Sequence, residues 1–144
     1  MNIEPFEPKK AKILVVEDTN MMRVMMLRHL SQAGYENVAS VEDGQQALDY
    51  LEEHPVDLML LDIQMPVLNG YETLDRVKND PRFASTAVIM VTAVDKIESV
   101  AKCIEDGADD YMPKLFNPIL LPAKIDASLE LRHLRKVVAS MSEA

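Results

Sequence analysis

Glu17 and Asp18, then Asp62, then Thr92, then Lys114 are the residues of this chain whose types suit joint chemistry, because each stands at the end of a short apolar segment. Three carboxylates brought within a few ångströms repel one another by about 1 to 4 kcal/mol per close pair at surface-like dielectric. Something positive must offset that repulsion. Lys114 supplies one charge, and a hard cation that takes oxygen ligands supplies two more. Mg²⁺ (or Mn²⁺), held by one or two carboxylates and completed by water, suits such a set. An acidic pocket with a divalent cation and a lysine is in turn suited to a phosphoryl group. Cation and ammonium neutralise the equatorial oxygens while a carboxylate attacks in line. In that chemistry Asp62 is the nucleophile and an acyl phosphate the product.

These residues meet only if the intervening chain carries them to one edge. Residues 12–16, Lys-Ile-Leu-Val-Val, form a β-branched run too short for a helix and apolar on both faces, as a strand covered on both sides should be. Residues 56–61 and 87–91 repeat the pattern, and 37–41 and 109–112 are weaker candidates. Helical spacing fills the gaps at 20–33, 44–53, 71–79, 96–105 and 118 to about 139. Thr19 and Asp43 suit helix N-caps, Gly34 a helix end, and Asp95 with Glu98 a capping-box start. Alternation of this kind predicts a doubly wound parallel sheet of five strands with five helices on its two faces. Ligands bind such sheets beyond the carboxyl ends of the strands, which is where the acids, the hydroxyl and the ammonium fall.

Composition sets the outer bounds. A chain of 144 residues, 48% hydrophobic and 27% charged, has the size and balance of one globular domain. No stretch approaches the roughly 18 continuous apolar residues of a membrane span, and residues 1–12 lack the apolar core of a secretory signal. The expected location is the cytoplasm, without membrane contact. Cys103 is the only cysteine, which excludes an internal disulfide and a cysteine-built zinc site. A formal charge of −9 argues against direct nucleic-acid binding, which needs a concentrated positive footprint.

Glu17-Asp18, then Asp62-Ile63-Gln64-Met65-Pro66 with Gly70, then Val91-Thr92-Ala93, then Tyr111 three residues before Lys114, together resemble the receiver domains of bacterial response regulators, the chemotaxis receivers among them. Each piece is common alone; five in order at strand ends are specific. The resemblance runs from about residue 12 to 131. It implies a flavodoxin-like strand order of 2-1-3-4-5 with the last helix extended. It implies Asp62 as phosphoacceptor, and a metal held by Asp18 and Asp62 directly, by Glu17 largely through water, and by the backbone carbonyl of Gln64. Thr92 and Lys114 would bind phosphoryl oxygens, and Tyr111 would turn inward as Thr92 moves. The implied donor is a histidine kinase or a histidine phosphotransfer protein. The surface of the fourth helix, fifth strand and fifth helix would respond, and could serve a homodimer. Such a protein is a switch rather than an enzyme.

Two positions depart from the family pattern. Receivers usually follow the lysine with a cis-linked proline, whereas Leu115 follows Lys114; a cis bond there costs about 2.5 to 4 kcal/mol, so either that cost is borne or the loop turns differently. Glu17 is one methylene longer than the commoner aspartate, and Gln64 and Val94 occupy places that resemble those tuning phosphoryl lifetime in the family. Met21, Met22, Met25 and Met26 suit a core, yet methionine also suits adaptable contact surfaces, and Met21 and Met25 fall on the helix where a donor would dock. His29, His54 and His133 lack metal-ligand spacing. Leu131, Leu134, Val138 and Met141 are spaced three, four and three apart, the seam of a long last helix, a linker to an output domain, or a dimer contact. The domain division expected is an N-terminal extension over 1–11, the receiver over 12–131, and a helical extension or linker over 132–144.

The competing class is a metal-dependent phosphohydrolase with an aspartyl-phosphate intermediate. Haloacid-dehalogenase-like phosphatases place a second aspartate two residues after the nucleophile, where this chain has Gln64. Flavin or nucleotide binding calls for a Gly-, Ser- or Thr-rich loop after the first strand, and Glu17-Asp18 would repel an anion there.

Overall fold

The computed structural model describes residues 6–92, 97–114 and 117–142. Five parallel strands alternate with five helices: β1 Lys12–Val16, α1 Asn20–Gln32, β2 Asn37–Val41, α2 Gly44–Glu53, β3 Leu58–Asp62, α3 Gly70–Lys78, β4 Ala87–Thr92, α4 Ile97–Glu105, β5 Asp110–Pro113 and α5 Leu120–Ser142. The sheet runs β2-β1-β3-β4-β5 with every pairing parallel, the expected flavodoxin-like order.

Alternation of side chains along the strands divides the apolar residues between two cores. Ile13 and Val15 of β1, with Leu58 and Leu60 of β3 and Ile89 and Val91 of β4, pack beneath α1 and α5. Leu14, Val16, Met59, Leu61, Val88 and Met90 face α2, α3 and α4. Each such side chain, wholly out of water, contributes about 1.5 to 3 kcal/mol. Both faces of the sheet are therefore held, and the strand ends are a rigid platform.

The strand ends differ from the sequence expectation in one useful way. β3 and β4 each run one residue further, so that Asp62 pairs with Val91, and Thr92 with Pro113, inside the ladder. A polar residue closing an apolar run reads as loop in sequence, but ladder pairing fixes its backbone. β3 also begins two residues later than 56, where Asp57 instead takes the Lys12 N–H on its side chain at 2.8 Å.

Helix ends follow local chemistry. Asp43 accepts from the Gln46 N–H at 2.8 Å, as expected of a cap. Gly34, at φ +94°, closes α1: its own N–H reaches Ser31 O, and the Tyr35 N–H reaches Leu30 O. Thr19 occupies the N-cap of α1, but its side chain makes no capping bond. Asn69 and Glu72 form a full capping box at α3, not among the caps expected. α5 starts two residues later than expected because Asn117 Oδ1 accepts from the N–H groups of Ile119 and Leu120. The Asp95–Glu98 start of α4 involves a residue outside those described.

The segment before β1 is fastened to α5. Lys9 Nζ lies 3.9 Å from the Tyr35 ring centre and 3.8 Å from Asp126, and the Phe6 ring tilts against His133 at 5.4 Å. His54 likewise lies against Tyr50, at 4.5 Å. None of the described helices is long and apolar enough to cross a membrane.

Candidate functional site

Glu17 and Asp18 leave β1, Asp62 closes β3, Thr92 closes β4, and Lys114 follows β5, so the sheet delivers all five to one edge. One carboxylate oxygen from each of Glu17, Asp18 and Asp62 lies within 4.8 Å of the others. Lys114 Nζ lies 3.0 Å from Asp62 Oδ2 and 3.4 Å from Glu17 Oε1. The ammonium is held there by its backbone, since the Lys114 N–H donates to Thr92 O at 3.0 Å. The anticipated cluster is assembled.

Burial sharpens the electrostatics. Glu17 is 0% and Asp62 1% exposed, while Asp18 faces solvent. Burial, then the charge of Asp62, raises the Glu17 carboxyl above its ordinary range despite Lys114. Burial works against the Lys114 ammonium, but hydrogen bonding and charge from Asp62, followed by Glu17, outweigh it and raise its pKa.

The acids keep few other partners. Asp62 Oδ1 accepts a long 3.4 Å bond from the Gln64 N–H, and Glu17 Oε1 accepts from the Thr19 N–H at 3.2 Å. Glu17 Oε2 is buried without a hydrogen-bond partner. An orphaned carboxylate oxygen beside two further acids is a donor set short of positive charge, and a hard divalent cation fits it. Above the acids opens a cleft of about 810 Å³ lined by Asp18, Thr19, Gln64, Asn69 and Lys114 among others.

Two further residues support this geometry, and the first of them escapes sequence inspection. Arg23, on the first turn of α1, donates through Nη1 to Glu17 O at 3.1 Å and lies 3.6 Å from Glu42, so it anchors the backbone that presents the acid pair. Its spacing six residues after Glu17 carries no motif. Gly70 is the other. A Cβ there would sit 2.3 Å from Asp62 O and 2.6 Å from Ile63 Cα, so only glycine lets α3 approach the Asp62 peptide this closely.

The remaining candidates separate by exposure. Thr92 is buried at the cluster's edge. Tyr111 is 40% exposed, its ring turned outward under Lys124 Nζ at 5.2 Å. Of the four methionines of α1, Met26 enters the core, whereas Met21 and Met25 stay exposed beside Val24. Leu115, and with it the Lys114–Leu115 peptide, and Val94 lie outside the described residues; among those described there is no cis peptide.

Comparison with known proteins places this geometry. The model of the response regulator receiver domain matches residues 13–126. Transcriptional regulatory protein CpxR of Escherichia coli is 40% identical over 122 residues, which cover 85% of this chain and 50% of CpxR. Chemotaxis protein CheY1 of Helicobacter pylori is 32% identical over 119 residues, 82% of this chain and 96% of CheY1. Among solved structures, NtrX from Brucella abortus superposes with a TM-score of 0.84 at 28% identity, over 92% of this chain and 29% of NtrX. The chain spans half or less of the length of several relatives it matches. With the motif, the strand order and the acid cluster in agreement, the chain belongs to the response regulator receiver domains of two-component signalling.

Proposed function

We propose that Asp62 accepts a phosphoryl group from a histidine kinase or a histidine phosphotransfer protein, and that the resulting change is read on the surface of α4, β5 and α5. The observation that carries this is the Lys114 ammonium 3.0 Å from Asp62 Oδ2 within a cluster of three acids. Family members bind Mg²⁺ at an acidic pocket, and here Asp18, Asp62, Glu17 and the carbonyl of Gln64 would hold Mg²⁺ or Mn²⁺, supplying charge to the phosphoryl oxygens.

The chain's own groups do the rest. An Asp62 carboxylate oxygen forms the new P–O bond as the P–N bond to the donor histidine breaks and its electron pair returns to the imidazole. Lys114, already paired with Asp62, moves its ammonium to a phosphoryl oxygen, and the Thr92 hydroxyl turns toward another. Tyr111 then loses the space that kept its ring outward and packs toward the place Thr92 vacates. That change alters the exposed surface around Tyr111, which also suits a homodimer. Met21 and Met25, exposed on α1 beside the cleft, receive the donor. We assign the receiver to residues 12–131, with extensions at 1–11 and 132–144, in a cytoplasmic protein whose output lies with a partner or a further domain.

Incubation with acetyl phosphate and Mg²⁺ tests the reading. The wild type gains one phosphoryl mass and Asp62→Ala none. Release of phosphate over many cycles would instead mark a phosphohydrolase, which Gln64, in place of a second aspartate, disfavours.

A further inference from the structure

We infer that the C-terminal half of α5 pairs with the same helix of a second copy of this chain, parallel and in register, along Leu131, Leu134, Val138 and Met141. This goes beyond the phosphoryl chemistry and does not depend on it. α5 is 23 residues long, about 35 Å, yet its last buried residue is Leu129. A helical end without a fully buried side chain is marginal in water, because packing of an apolar face supplies most helical stability.

The four apolar residues are 44 to 62% exposed and occupy alternating a and d positions of two heptads. At 100° per residue they lie roughly 160° around the helix from the stripe of Leu121, Ile125 and Leu129 that faces the sheet. Rotation of the helix is fixed so that the seam stays outward. Arg132 grips Asp57 Oδ1 at 2.8 Å and Ser85 O at 2.9 Å, and Phe6 lies against His133 on the same body-facing side.

Charge selects both the occupant and the direction. Glu130 and Arg135 flank the seam at g and e. In a parallel pair, g of one heptad meets e of the next on the partner, so Glu130 of each copy meets Arg135 of the other, twice by symmetry. An antiparallel pair would bring the two Arg135 guanidiniums together and leave Glu130 without a cation. Arg135 is free to turn, since it is 65% exposed and its link to Asp109 is 3.4 Å long.

Sedimentation equilibrium of the full chain without phosphodonor tests this. The wild type dimerises with rising concentration, and Leu134→Glu with Val138→Glu is monomeric. Glu130→Arg and Arg135→Glu each weaken self-association about tenfold, while an equimolar mixture of the two variants recovers it, because only the mixed pair restores both contacts. All four positions are exposed, and far-ultraviolet circular dichroism verifies that each variant is folded. A wild type that stays monomeric at millimolar concentration overturns the inference. So does a dimer indifferent to the seam substitutions, which would place the contact elsewhere, or a mixture of wild type with Arg135→Glu that associates more tightly than either chain alone, which would make the pairing antiparallel.

Discussion

The Lys114 ammonium lies 3.0 Å from Asp62 Oδ2, a pairing across 52 residues that joins the end of β5 to the end of β3. Among the described residues it is the one cation paired with both carboxylates that the sheet buries, Asp62 and Glu17. Taking it away leaves two acids facing each other out of water. Lys114→Ala should therefore cost about 2 to 4 kcal/mol of stability when no divalent cation is present, and less when Mg²⁺ is added. Urea unfolding in EDTA and in Mg²⁺ makes the comparison; equal losses in both would mean that the metal and the ammonium do not share a task.

Glu17 predicts a trade of stability against metal response. Its folded pKa lies above the ordinary 4.5, chiefly through burial and then through Asp62. A raised folded value means that the native state holds the proton more tightly than the unfolded chain. The stability this gives is fully present below pH 4.5 and is lost as pH rises through the folded value. Glu17→Gln lacks that loss, so in EDTA it should become more stable than the wild type by about 1 to 2 kcal/mol as pH climbs toward neutrality. Its gain in Tm on adding Mg²⁺ should shrink. Melting curves from pH 4 to 8 with and without Mg²⁺ decide; a Gln variant that is less stable in EDTA at pH 7 contradicts the account.

Much of this was legible from residue types because each strand is a compact apolar run with a charged or hydroxyl residue at its close. β1, β2 and α2 have the limits expected of them, and Asp18, Asp62 and Lys114 meet as their strand-end places implied. What escaped was fixed by contacts between distant segments. The depth of Glu17, the grip of Arg23 on its carbonyl and the closeness of α3 to the Asp62 peptide depend on how helices seat on the sheet, which no local pattern encodes. The outward ring of Tyr111 is of the same kind, since its face is decided by Lys124, thirteen residues on.

Gly70 is a test of that seating. Gly70→Ala would drive a methyl into Asp62 O and Ile63 Cα, both backbone and unable to swing aside. Either α3 retreats, loosening its packing on α2, or the Asp62 peptide shifts. We expect a loss of about 2 to 4 kcal/mol together with slower labelling by acetyl phosphate at a temperature where the variant remains folded. Unaltered labelling of a destabilised variant would show that α3 alone gives way.

On α1, exposure separates docking from packing. Met21 is 69% and Met25 39% exposed, while Met26 is sealed in the core. Met21→Glu with Met25→Glu should slow transfer from a phosphorylated histidine donor about tenfold, and leave labelling by acetyl phosphate, which needs no docking, unchanged. If both rates stay at the wild-type level, the donor binds another face.

Val67 carries the last prediction. It is the only non-glycine residue among those described with positive φ, at 67°, and it is β-branched, the side-chain shape least suited to that region. The turn is closed by the Leu68 N–H donating to Pro66 O at 2.7 Å, a three-residue turn of the strained hand. Since the side chain is largely in solvent, little packing compensates. Strain of about 1 to 3 kcal/mol is then set against the roughly 0.5 to 1 kcal/mol of extra chain entropy that glycine loses on folding. Val67→Gly should raise stability by about 0.5 to 1.5 kcal/mol in urea unfolding. A destabilised glycine variant would mean that Val67 restrains the loop over the acid cluster, and its labelling by acetyl phosphate should then fall in step.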